Sequence, residues 1–147
     1  MGLCSHVTLN VVIERSVNGS NRDMPGIYLP CSIGYIPGTM DIFGKQLVAL
    51  VVAPLPLIAD SVIEVRPIGA IKLDESVKIL TLPVARFNYD NINDFHDLPK
   101  TLTEKIEKFF KQPQKNHIQS FSWLNLACAK KVISICSESF YLGAQLA

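Results

Sequence analysis

Apolar positions come in short runs or alternations through the first half of the chain, and at helical spacing in two longer stretches near its end. Val7 to Glu14 alternates weakly and is rich in β-branched residues, which predicts a strand. Ser16 to Gly26 is polar and carries Asn18-Gly19 and Pro25-Gly26, the marks of a turn or loop. Val48 to Val52 is a continuous apolar run that reads as a buried strand. Ser61 to Ile68 and Ile71 to Leu73 read as two further strand pieces, with Gly69 allowing a bend between them. Val77 to Leu82 is another strand, which Pro83 ends.

A helix is signalled after residue 97. Asp97 can cap its N-terminus, Pro99 fits its first turn and Pro113 stops it. Leu98, Leu102, Ile106, Phe109 and Phe110 form one stripe, with Glu104, Lys105, Lys108 and Lys111 outside it. A second helix is predicted from about Ser122 to Leu142. Its apolar residues cover two faces: Trp123, Leu126, Ala127 and Ile133 on one, Leu124, Cys128, Val132 and Ile135 on another. A surface helix buries one face, so the second predicts burial against another subunit. The pattern as a whole predicts one domain over 1–147, of mainly β or α+β class: a small closed, mostly antiparallel barrel with two helices packed outside.

Composition narrows this picture. The 147 residues are 48% hydrophobic and 18% charged, with a net charge of +1. That balance builds a core and supplies no field to attract nucleic acid or an acidic membrane surface. An OB-like barrel binding nucleic acid would need basic residues among aromatics on one face, and Lys72, Lys78 and Arg86 with Phe87 and Tyr89 are a thin approach to it. The longest nearly uncharged run, Leu47 to Ala59, holds two prolines and is too short to span a bilayer. No secretory signal is visible, and Gly2 stands in an imperfect acylation context, with His6 where Ser or Thr belongs. Cys4, Cys31, Cys128 and Cys136 form no C-x-x-C pair, and His6, His96 and His117 are scattered, so a zinc site is not expected. Free thiols predict a reducing, cytoplasmic setting.

The chemistry is written in Leu29-Pro-Cys-Ser-Ile-Gly-Tyr-Ile36 and, after seven residues, Gly44-Lys45-Gln46-Leu47-Val48-Ala49-Leu50-Val51. These stretches resemble the heart of the soluble family I inorganic pyrophosphatases, where Tyr-Pro-x-Asn-Tyr-Gly-Tyr-Ile precedes an Asp-Gly-Asp-Pro-x-Asp motif whose carboxylates hold magnesium. Val11-Val-Ile-Glu14, Ala53-Pro-Leu-Pro-Leu57, Ser61 to Gly69, Tyr89 to Pro99, Phe109-Phe110 and Trp123 with Ala127 extend the resemblance in the same order. Trp123 resembles the start of the terminal helix. The family's barrel is OB-like, which the strand pattern permits.

At the magnesium motif this chain reads Phe43-Gly44-Lys45-Gln46-Leu47-Val48, so Phe43, Lys45 and Val48 stand where the resemblance expects aspartates. Leu29 and Ile33 replace two site tyrosines, Ser76 falls at a further metal aspartate, and Pro113-Gln114 replaces a Tyr-Lys pair. Glu14 and Lys78 remain as relic catalytic positions, Tyr35 stays, and Arg22 is a stand-in for a lost lysine. Asp41, Asp74 and Glu75 are the carboxylates left for a residual metal site. Lys45 invites the hypothesis that its ammonium sits near Glu14 or Asp41 in place of a magnesium ion. Two or more such ions, held by carboxylates, clamp the phosphates and activate a water in a reaction of this kind. The apolar Leu29, Ile33, Phe43 and Val48 would turn that wet cavity into a drier pocket or filled core.

The resemblance therefore implies a homologue of the magnesium-dependent pyrophosphatases that has lost catalysis and acts by binding, with no cofactor expected. The alternative is residual hydrolysis of diphosphate or another phosphate ester through Glu14, Asp41, Asp74 and Glu75, with Mg2+ as cofactor. The resemblance also implies a homo-oligomer, a hexamer in bacterial members, or a mixed assembly with an active relative. Neither nucleic acid nor a membrane is an expected partner.

Overall fold

The computed structural model describes residues 8–16, 30–53, 56–84, 91–111 and 120–146. Six strands, β1 (Leu9–Arg15), β2 (Ser32–Ile36), β3 (Leu47–Val51), β4 (Val62–Leu73), β5 (Ser76–Pro83) and β6 (Phe121–Leu124), form one sheet. Their order is β1-β2-β3-β5-β4-β6, and β1 also pairs with β4, so the first five strands close into a ring. Only β3 and β5 run parallel; every other pair is antiparallel. The expected OB-like barrel is thus present. Two helices accompany it, α1 (Lys100–Phe110) and α2 (Leu126–Leu146), with a 3₁₀ turn (Phe95–Asp97) before α1.

β4 is one strand where the sequence predicts two pieces. Its register shifts between Pro67 and Gly69, a bulge that takes up the proline without breaking the ladder to β5. One edge of β4 is shared: residues 62–65 pair with β1, and residues 70–73 pair with β6. Gly69 lies between these segments, where a Cβ would meet the Leu124 carbonyl oxygen at 2.8 Å and the Phe95 ring. Gly34 has a similar task in β2, because a Cβ there would fall far inside contact distance of the Val12 carbonyl oxygen.

Alternation divides the apolar residues between two faces of the sheet. Val11, Ile13, Ile36, Leu47, Ala49, Val65, Ala70 and Ile79 form one cluster, which Ala129, Ile133 and Cys136 of α2 complete. Ile33, Leu50, Ile68, Ile71, Leu80 and Leu82 form the other, covered by Leu98 and by Ile106 and Phe110 of α1.

Three expectations are corrected near the chain's end. Residues 121–124 are strand, not helix, because β4 offers them a free edge, and α2 begins at Leu126. Trp123 accordingly packs from β6 against the α1-side cluster, stacked on Phe95 at 5.0 Å and donating through Nε1 to Glu107. Asp97 does not cap α1. Its carboxylate accepts from the Asn93 and Asp94 amides within the 3₁₀ turn, and the α1 N-cap position is Pro99. Among the described residues no helix is long and apolar enough to cross a membrane.

Candidate functional site

Cross-strand register assembles the site. Val12 faces Tyr35, Tyr35 faces Val48, Val48 faces Lys78 and Lys78 faces Ile71. Residues opposed in this way share a face, so Tyr35, Val48 and Lys78 lie in one row on the α1 side of the sheet. Ile33 and Leu50 form the adjacent row and are buried.

Arg15 joins this face through a bulge. Val11 and Ile13 point into the α2-side core, and strict alternation would send Arg15 after them. A guanidinium has no counter-charge there and its burial is costly. Instead the register shifts between Ile13 and Arg15, Glu14 becomes the extra residue, and Arg15 lands opposite Ile33. Glu14 is exposed and Arg15 half-buried, with an Nε that is buried and has no hydrogen-bond partner. Arg15 is thus a site residue that the resemblance does not nominate. Its one signal in the sequence is a charged residue in phase with two core positions.

Lys78 is half-buried. Burial and then the like charge of Arg15 hold its ammonium below the usual lysine range, while Asp41 pulls the other way. Asp41 organises the turn after β2. Its Oδ1 accepts from the amides of Phe43 and Lys45, both at 2.9 Å, and its own amide donates to the Lys45 carbonyl. Gly44 completes the turn at φ +77°. Phe43 therefore sits on an exposed loop, 58% accessible, and fills no core. Lys45 is exposed as well and meets Asp41 through its backbone. Ion pairs form between His96 and Asp94 and between Lys111 and Glu107, whereas Lys45 pairs with neither Glu14 nor Asp41. Ile33 and Val48 do supply an apolar floor.

The remaining carboxylates are dispersed. Asp74 is the hairpin residue between β4 and β5, at φ +54°, and its Oδ1 accepts from the amide and hydroxyl of Ser120. It ties down the chain just before β6. Glu75 is exposed, and with Asp41 it borders an apolar cavity of about 160 Å³ between Leu47, Val77 and the α2 residues Val132 and Ile135. Cys136 also lines that cavity, and burial followed by the Asp41 charge pushes its thiol up. Ser76 pairs with Leu73 at the start of β5. Leu29, Arg22, Pro113 and Gln114 lie outside the described residues. Among those described, no three His, Cys, Asp or Glu side chains converge to hold a metal ion. Magnesium needs several convergent hard oxygens, and this donor set does not fit it.

A family model described as inorganic pyrophosphatase matches residues 17–141. The inorganic pyrophosphatase of Vibrio cholerae is 35% identical over 106 residues, 68% of this chain and 59% of the relative. That of Escherichia coli strain K12 is 34% identical over 117 residues, 73% of this chain and 66% of the relative. The matched stretch thus spans less than two thirds of either relative's length. The crystal structure of inorganic pyrophosphatase from Ehrlichia chaffeensis superposes with a TM-score of 0.74 at 28% identity, over 88% of this chain and 92% of that one.

Proposed function

The chain belongs to the inorganic pyrophosphatase family, and from that premise we propose a member that binds without hydrolysing diphosphate. The observation that carries this reading is the sign of the charge on the α1-side face. Arg15 and Lys78 both belong to it, beside Ile33, Val48 and Leu50. A magnesium clamp requires the opposite sign, because each divalent ion's desolvation must be offset by carboxylates that point at it. Of the acids present, Glu14 is exposed at the bulge, Asp74 is engaged by Ser120, and Asp41 is engaged by its own turn. Each ligand lost from a two-metal site removes orders of magnitude in rate.

Family membership favours a second reading, magnesium-dependent hydrolysis surviving through Glu14, Asp41, Asp74 and Glu75. A phosphate-release assay with diphosphate and magnesium separates the two. No release above the uncatalysed rate is expected. Release that disappears in Glu14→Gln would establish the second reading.

Self-association belongs to the same proposal, as a homo-oligomer or as a mixed assembly with an active relative. The exposed apolar residues of α2 and of the 41–44 turn support it. A cytoplasmic setting goes with the free thiols of Cys31, Cys128 and Cys136.

A further inference from the structure

The α2 side of the sheet, away from Lys78, holds a cavity of about 160 Å³ where the turn after β2 meets the helix. Leu47 and Val77 border it from the paired strands β3 and β5, and Val132 and Ile135 from α2. The turn is fixed at this place. The Met40 amide donates to the Cys136 carbonyl at 2.9 Å, and the Leu47 amide donates to Thr39 Oγ1 at 3.0 Å. Asp41 Oδ1 accepts from the Phe43 and Lys45 amides. Sheet, helix and hydrogen-bonded turn thus frame the space together.

The charged groups on its border have one sign. Asp41 is half-buried and Glu75 exposed, and neither forms an ion pair among the described residues. Lys45 in the turn and Lys131 on α2 are exposed, and Lys78 belongs to the other face of the sheet. The Asp41 charge reaches the cavity wall: after burial, it is what pushes the Cys136 thiol up. Asp41 spends Oδ1 on its own turn, which leaves Oδ2 to accept from a further donor. Two carboxylates beside an apolar hollow are too few hard oxygens for a metal ion and repel an anion. They suit a guest that is apolar at one end and positive at the other.

Size limits that guest. An apolar protein cavity of about 150 Å³ takes one benzene molecule, so this one matches a single ring or a chain of similar bulk. It is too small for a helix or strand of a partner. We infer that the cavity between the 41–47 turn and α2 is a binding site for a small organic cation, an ammonium group carried on one apolar ring. The ring packs among Leu47, Val77, Val132 and Ile135, and the ammonium donates to Asp41 and Glu75. The site is on the opposite side of the sheet from Arg15 and Lys78 and is independent of whether diphosphate is hydrolysed there.

NMR titration of the methyl-labelled protein with benzylammonium, toluene and benzoate tests it. Benzylammonium is expected to bind saturably and to shift the methyl signals of Leu47, Val77, Val132 and Ile135 together. Toluene has the ring without the charge and should bind more weakly; benzoate has the opposite charge and should not bind. Glu75→Gln should weaken benzylammonium about threefold and leave toluene unchanged. Val132→Phe should abolish both by filling the cavity. The comparison of the three ligands uses the unsubstituted chain, so it decides the matter even where Val132→Phe fails to fold. Equal binding of toluene and benzylammonium, or shifts confined to methyls outside the cavity, overturns the inference. So does the absence of benzylammonium binding, and sedimentation of the same sample then distinguishes a cavity covered by a second copy from an empty one.

Discussion

At the scale of single residues, the relic site depends on one bulge in β1. Strict alternation and the resemblance both favour Glu14 as the site residue of β1. The bulge leaves Glu14 as the exposed extra residue and sets Arg15 opposite Ile33, because Arg15 cannot follow Val11 and Ile13 into their core. A bulge is a property of the pair of strands, so one strand's sequence does not display it. Lys78 is nominated by the resemblance alone, and the fold sets it in phase with Leu80 and Leu82, on the face it buries. The consequence is measurable. Lys78 has a depressed folded-state value, so its protonated form disfavours the folded state. The penalty is complete below the folded value and is relieved as pH rises from there toward the unfolded value. Lys78→Met should therefore stabilise the protein at pH 7 by on the order of 1 kcal/mol. That gain should shrink as the pH approaches 10.5, and thermal melts at the two pH values check it.

At the scale of elements, local pattern carried the strands and α1, and long-range pairing decided what it missed. β3, β5 and the stripe of α1 lie within a few residues of the sequence prediction. β2 was not foreseen as a strand, because Ser32-Ile-Gly-Tyr-Ile36 has a glycine at its centre, and that glycine serves the approach of β1. The sequence places Ser122 to Leu124 at the start of the second helix, and only the vacant edge of β4 makes them part of a strand. The junction between β6 and α2 depends on Asp94. Its Oδ1 accepts from the Leu126 amide at 2.8 Å, at the N-terminus of α2, and its Oδ2 meets His96 Nδ1 at 2.5 Å. One carboxylate thus joins the 3₁₀ turn to α2 across 32 residues of chain. Asp94→Ala should cost about 1–2 kcal/mol through loss of this cap. His96→Ala, with its ring largely in solvent, should cost much less, and urea denaturation of both variants tests the ranking.

At the scale of the whole molecule, the ring closes its hydrogen bonds and leaves its apolar surplus on α2. Ala129, Ile133 and Cys136 are buried against the sheet, as one amphipathic face requires. On the helix's other side Ile135 and Tyr141 are each 62% accessible, and Ile42 of the neighbouring turn is 77% accessible. Ile42 and Ile135 border the same cavity, so this exposed surface is continuous from the turn to the helix. Of the second face that the sequence predicts, only Cys128 and Ile135 are exposed; Val132 packs against the α2-side core and Leu124 lies in β6. Apolar patches of this kind mark interfaces more often than solvent-facing surface. Sedimentation velocity at micromolar concentration is expected to show an oligomer, and Ile135→Glu should shift it toward monomer. Because Ile135 contributes little to the fold, the variant's melting curve at low concentration should stay close to that of the parent. A monomer at all concentrations in the parent chain would remove the self-association proposal.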